Sequence, residues 1–86
     1  MRYSVLYEKI HEQGFEGWYY AHIPAFDITT HGLGIEGAQA AAEDAVDVWI
    51  RANLDDGRPI PPADDDALFG TIEVNIEVPA DALQVA

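Results

Sequence analysis

From Ile35 to about Leu54, apolar residues recur at steps of three and four: Ile35, Ala38, Ala42, Ala45, Trp49 and Ala52, with Val46 and Ile50 widening the stripe. Glu36, Gln39, Glu43 and Asp47 lie off it, so the segment reads as a helix with one face to bury. No other segment of the 86 residues has that period, and a lone helix cannot cover its own stripe. Its packing surface has to come from segments whose period is two.

Those segments are present on both sides of the helix. In "RYSVLYEK", residues 2 to 9, Tyr3, Val5 and Tyr7 alternate with Arg2, Ser4 and Glu8, and Leu6 breaks the alternation. After the glycine-punctuated "IHEQGFEG", the stretch "WYYAHI" is a second strand stopped by Pro24, and the two predict an antiparallel hairpin. "DITTH" is a short third strand. "TIEVNIEV" alternates without error, with Ile72, Val74, Ile76 and Val78 on one face and Thr71, Glu73, Asn75 and Glu77 on the other, and it predicts a fourth strand ended by Pro79. Between helix and fourth strand, Gly57 is placed to leave the helix with positive φ, and "RPIPPADDD" reads as a stiff acidic loop. The expected fold is α+β, order β-β-β-α-β, with one helix on one face of a small sheet. A last strand lying beside the first and parallel to it would need a right-handed crossover.

"HGLGIEG", residues 31 to 37, matches Gly-x-Gly-x-x-Gly, the spacing of a dinucleotide-binding turn. The context is wrong for that chemistry. The strand before it is polar, Glu36 would stand at the phosphates, and a proline-rich acidic loop follows the helix. Gly32 and Gly34 are instead expected to turn the chain into the helix, with Gly34 as N-cap, and Gly37 to permit close packing.

Charge narrows the function classes. Sixteen acidic against four basic residues give a net charge of −12, and Arg2, Lys9, Arg51 and Arg58 are scattered, so direct contact with nucleic acid is not expected. A basic protein partner is, because such a surface steers positive charge toward it. No apolar stretch reaches the roughly 20 residues of a membrane span, and the expected setting is cytoplasmic. There is no cysteine, and His11, His22 and His31 show no helical metal-binding spacing. Ser4, the one serine, lies in a strand without a nucleophile elbow, and no carboxylate pair announces a catalytic pocket. The expectation is a protein without catalysis, cofactor or metal.

The outward sheet face carries more information. With Tyr19, Ala21 and Ile23 under the helix, alternation turns Trp18, Tyr20 and His22 outward, a pattern typical of a protein interface. Glu73 and Glu77 are expected at its rim. Asp55 and Asp56 oppose the helix dipole at the carboxyl end and are candidate partner contacts.

Residues 1 to 78 resemble the HicB-like antitoxin domain family; 79 to 86 would be a tail. The likeness is carried by "YSVLYEK", by "EGWYYAHIP", and by "TTHGLGIEGAQAAAEDAVDVWIRANLDDGRPIPP", whose helix exit "DG-x-PIPP" is the most specific part. The resemblance implies a partial RNase H-like fold, a non-catalytic domain that self-associates, and masking of a small basic RNA-cleaving toxin of the HicA type. It differs at "PAFDIT", where many members have a glycine-containing turn, and at Gly34, where a hydroxyl residue is usual. Many members continue into a DNA-binding domain, whereas this sequence ends with "VPADALQVA", so no repressor activity of its own is expected. Alternatives are an orphan homo-oligomer without a toxin, or a metal-dependent RNase H-like enzyme using carboxylates such as Asp27.

Overall fold

A computed structural model of the chain describes residues 1–82. In chain order it contains β1 (Leu6–Lys9), β2 (Trp18–Ile23), β3 (Ile28–Leu33) and α1 (Gly34–Asp55). The three strands form one antiparallel sheet in the order β1-β2-β3, and α1 packs on one face of it. The α+β layering expected from the two periods is therefore the one that forms.

The helix seats where side chains are smallest. Ala21 in β2 lies between Tyr7 and Thr30 of the neighbouring strands and is fully buried, as is Ala38 of the helix. At Gly32, a Cβ would collide with the Gly37 carbonyl and lie 2.5 Å from the Ala38 backbone nitrogen. Backbone thus meets backbone at this point, which only glycine allows. Ala21, Ile23, Phe26, Ala38 and Ala42 form the buried cluster, and larger side chains such as Tyr7, Tyr19, Val46 and Trp49 pack around it half-buried. Ile35 and Ala52, expected on the helix stripe, are exposed, so the buried face is shorter at both ends than the periodicity implied.

Turns set the rest. Pro24–Phe26 make one 3-10 turn after β2, and Asp27 follows with φ 52, a left-handed conformation that aspartate tolerates better than most residues. This turn swings Phe26 inward, where its ring meets Tyr3 and Trp49 edge-on, with centroids 4.7 and 4.9 Å away. At the start of α1 the N-cap is Leu33, one residue before the expected Gly34; Gly34 contributes φ 70, and its N–H donates to the Gly17 carbonyl at 2.8 Å. At the exit Gly57 has φ 69 as expected. Its N–H donates to Leu54 and that of Arg58 to Asn53, the paired bonds of a Schellman ending.

The expected fourth strand does not join the sheet. Ile72, Val74, Ile76 and Val78 are 89%, 63%, 71% and 46% exposed, and every described residue after Asp64 is exposed. The chain does return to β1's side: Asp64 makes an isolated parallel bridge with Tyr3, and its N–H donates to the Arg2 carbonyl at 2.8 Å. Beyond that single bridge residues 65 to 79 have no ladder partner among the described residues, and alternation without a neighbouring edge makes no strand. Ala80–Ala82 form a single turn, and residues 83 to 86 of the expected tail lie outside the described residues. The radius of gyration, 16.6 Å against roughly 12 Å for a compact domain of this length, reflects the projecting arm.

Two stability measurements check this packing. Gly32→Ala should cost about 2 kcal/mol or more in urea unfolding, whereas Gly37→Ala, whose Cβ meets nothing nearer than 3.4 Å, should stay within about 1 kcal/mol of the parent. Equal losses would refute the backbone contact at Gly32. Thr30 Oγ1 is buried without a hydrogen-bond partner, so Thr30→Val should raise stability by about 1 kcal/mol.

Candidate functional site

Among the described residues no element covers the sheet face away from α1. Since Ala21 and Ile23 point beneath the helix, alternation places Trp18, Tyr20 and His22 on the opposite face, as the sequence predicts. Register adds their neighbours. Leu6 pairs with His22 and Glu8 with Tyr20 on one side; Thr29 pairs with His22, His31 with Tyr20 and Leu33 with Trp18 on the other. The three central side chains are half-buried by one another and by exposed neighbours.

Side-chain contacts hold this patch together. Phe15 meets Trp18 edge-on at 6.0 Å between centroids, and Trp18 lies 5.7 Å from the His31 ring. His22 Nδ1 and Thr29 Oγ1 share a hydrogen bond of 2.8 Å. The Tyr20 hydroxyl donates a long bond, 3.5 Å, to Glu12 Oε1. Phe15 and Glu12 arrive from the loop between β1 and β2, which tightens through Phe15 N–H to the Glu12 carbonyl and Trp18 N–H to the Phe15 carbonyl. Gly14 and Gly17 take positive φ to make that turn. The result is an apolar and aromatic surface with imidazoles and hydroxyls for directional contacts, the composition of a protein-binding patch.

The other expected site residues are not gathered there. Asp55 and Asp56 are exposed at the end of α1, in the layer on the far side of the sheet from the aromatic row. Glu73 and Glu77 lie on the projecting arm, because the strand that would have brought them to the rim is not in the sheet. Leu6, Phe15, His31 and Leu33 belong to the patch and were not among the expected site residues. Leu6's break in alternation was the one signal pointing to an apolar residue on the outer face.

On the helix side, a groove of about 440 Å³ runs between β1 and α1, lined by Tyr3, Val5, Tyr7, Ile23, Val46 and Ile50 among others. Burial there, helped by the charge of Glu43, holds the Tyr7 phenol above its ordinary pKa. A second hollow of about 590 Å³ separates Arg2–Leu6 from residues 65 to 69. Asp64 is also pushed up, first by its hydrogen bond with Asp66, then by burial and the neighbouring aspartate charges. Among the described residues no group of three or more His, Asp or Glu side chains is placed to hold a metal ion. The glycine run serves the strand-to-helix approach at Gly32 and Gly37, and the Gly34 N–H that would face a phosphate is taken by Gly17. Among the described residues no helix is long and apolar enough to cross a membrane.

No family model, curated protein or solved structure matches the chain.

The groove yields a pH test. A phenol whose pKa is raised in the folded state favours the neutral form, so its contribution to stability is complete below about pH 10 and is lost as pH rises through the folded value. Tyr7→Phe should therefore lessen the fall in urea midpoint as pH rises above about 10. An unchanged fall would show that Tyr7 is as solvated as in the unfolded chain.

Proposed function

We propose that the chain is a non-catalytic binding domain that covers a small basic protein, as the HicB-like antitoxins it resembles cover an RNA-cleaving toxin of the HicA type. The observation that carries this reading is an uncovered aromatic face on a chain of net charge −12. Large aromatics supply contact area at low entropic cost, and interface energy concentrates in such residues. The acidic surface supports the same reading. It would raise the encounter rate with a cationic partner by about ten-fold or more and repel nucleic acid.

Roles follow from the geometry. Trp18 and Tyr20 are the anchors, His22 and His31 supply directional hydrogen bonds at the patch, and the surrounding carboxylates steer the approach. Asp55 and Asp56, on the other layer, act in steering or in a separate contact. Self-association, which the resemblance also implies, needs a surface other than this one for both to occur together.

The test is capture by tagged protein from native lysate at low and high salt, followed by assay of the eluted partner. A small basic protein that cleaves RNA, and that the purified domain silences in stoichiometric amounts, is the expected result. Trp18→Ala should weaken binding about 30-fold, corresponding to a hot-spot loss of about 2 kcal/mol. Asp56→Lys should act chiefly on the salt-dependent on-rate. A partner whose binding is untouched by Trp18→Ala and Tyr20→Ala would overturn the assigned face, and recovery of no basic protein would overturn the function.

A further inference from the structure

We infer that residues 71–78 are a strand donated to a second copy of the chain, where they extend its sheet beyond β1 and fill the groove between β1 and α1. The inference rests on the self-association part of the proposed reading and is independent of toxin masking.

The donor is identified by its pattern. Ile72, Val74, Ile76 and Val78 form an unbroken aliphatic row held in solvent, with Thr71, Glu73, Asn75 and Glu77 on the reverse. Such a segment has the side chains of a half-buried edge strand and lacks only the edge. The acceptor is equally specific. β1 is one of the two edge strands of the sheet, β3 being the other, and its free side from Leu6 to Lys9 has no ladder neighbour among the described residues. Beside it runs the groove lined by Tyr3, Tyr7, Val46 and Ile50. A strand laid against β1 directs alternate side chains into this groove and the others onto the open face. The aliphatic row suits the first position and the polar row the second.

The register says why the donor is another copy. Asp64 is held at Tyr3 and the Ala67 N–H donates to Ser4 Oγ at 3.4 Å, so the chain's own residues 64 to 67 flank only the start of the N-terminal segment. Among the described residues, 71 to 78 join no ladder in their own chain and do not line its groove. On the open face the arm's Glu73 and Glu77 would meet Arg2 on one side and Glu8 on the other, so charge does not drive the pairing and the aliphatic row must carry it. Each copy carries one donor and one acceptor, so a reciprocal exchange between two copies closes as a two-fold dimer. Glu73 and Glu77 then stand on the same face as the acceptor's aromatic row, supplying in trans the acidic rim that one copy lacks.

The experiment uses the purified full chain alone, whose lack of cysteine makes introduced thiols unambiguous. Light scattering on a sizing column should give a dimer for the parent and for Tyr20→Ala. A monomer is expected for Val74→Asp/Ile76→Asp, with helix content kept and a thermal midpoint that, unlike the parent's, does not rise with protein concentration. Oxidising a mixture of Tyr7→Cys and Val74→Cys single variants should give a cross-linked pair. A monomeric parent, a dimer that survives Val74→Asp/Ile76→Asp, or a dimer lost through Tyr20→Ala alone would overturn the inference. So would a Tyr7→Cys/Val74→Cys double variant that closes its disulfide only within one chain. None of these outcomes depends on whether a basic protein is captured by the aromatic face, so the two proposals fail separately.

Discussion

Everything in this small domain is organised around one close approach, the backbone of α1 on the backbone of β3 at Gly32 and Gly37. Bringing two elements that near removes the room for side chains between them, so the centre is built of Ala21, Ala38 and Ala42 rather than of leucine or phenylalanine. Bulk is displaced to the margins. At one margin Phe26, Tyr3 and Trp49 interlock edge-on; on the β1 side nothing equivalent fills the space, and a groove remains. The same seating leaves α1 resting on β2 and β3, with the outer strand least protected. The domain is therefore complete at one end and open at the other.

Two surfaces result, and they differ in kind. On the aromatic face Trp18, Tyr20 and His22 stand on the central strand, with Phe15 and His31 against Trp18 and Thr29 bonded to His22. The groove and outer edge of β1 offer unpaired backbone and an apolar trough, which suits an extended segment of chain. Sheet pleating sends the side chains of β1 and β2 alternately to the aromatic face and to the groove.

How much of this was legible in the sequence depended on whether the governing contact was local. The β2 boundaries could be read from "WYYAHI" because Gly17 and Pro24 punctuate it, and the helix exit from Gly57 because a Schellman ending is closed within a short run of neighbouring residues. The outward aromatic row followed from period two alone. Less could be read where a distant element decides. Ile35 and Ala52 continue the stripe in sequence but overrun the short sheet beneath, so they are exposed. Glu12 and Phe15 reach the patch only through the fold of their loop. The row in "TIEVNIEV" was visible, but a strand exists only with a neighbour, and the neighbour's register is set by Tyr3 and Asp64, from opposite ends of the chain. Asp27 is the converse case: a missing glycine left the turn after β2 open to question, and a left-handed aspartate closes it.

The return of the chain from α1 has a mechanical consequence. Gly57 sets the angle of departure, Pro59, Pro61 and Pro62 stiffen the path away from the helix, and the Pro61 carbonyl accepts a 2.8 Å hydrogen bond from the Tyr3 hydroxyl. The point from which residues 65 to 82 depart is therefore fixed by a bracket that those residues do not belong to, so their side chains can change without moving it.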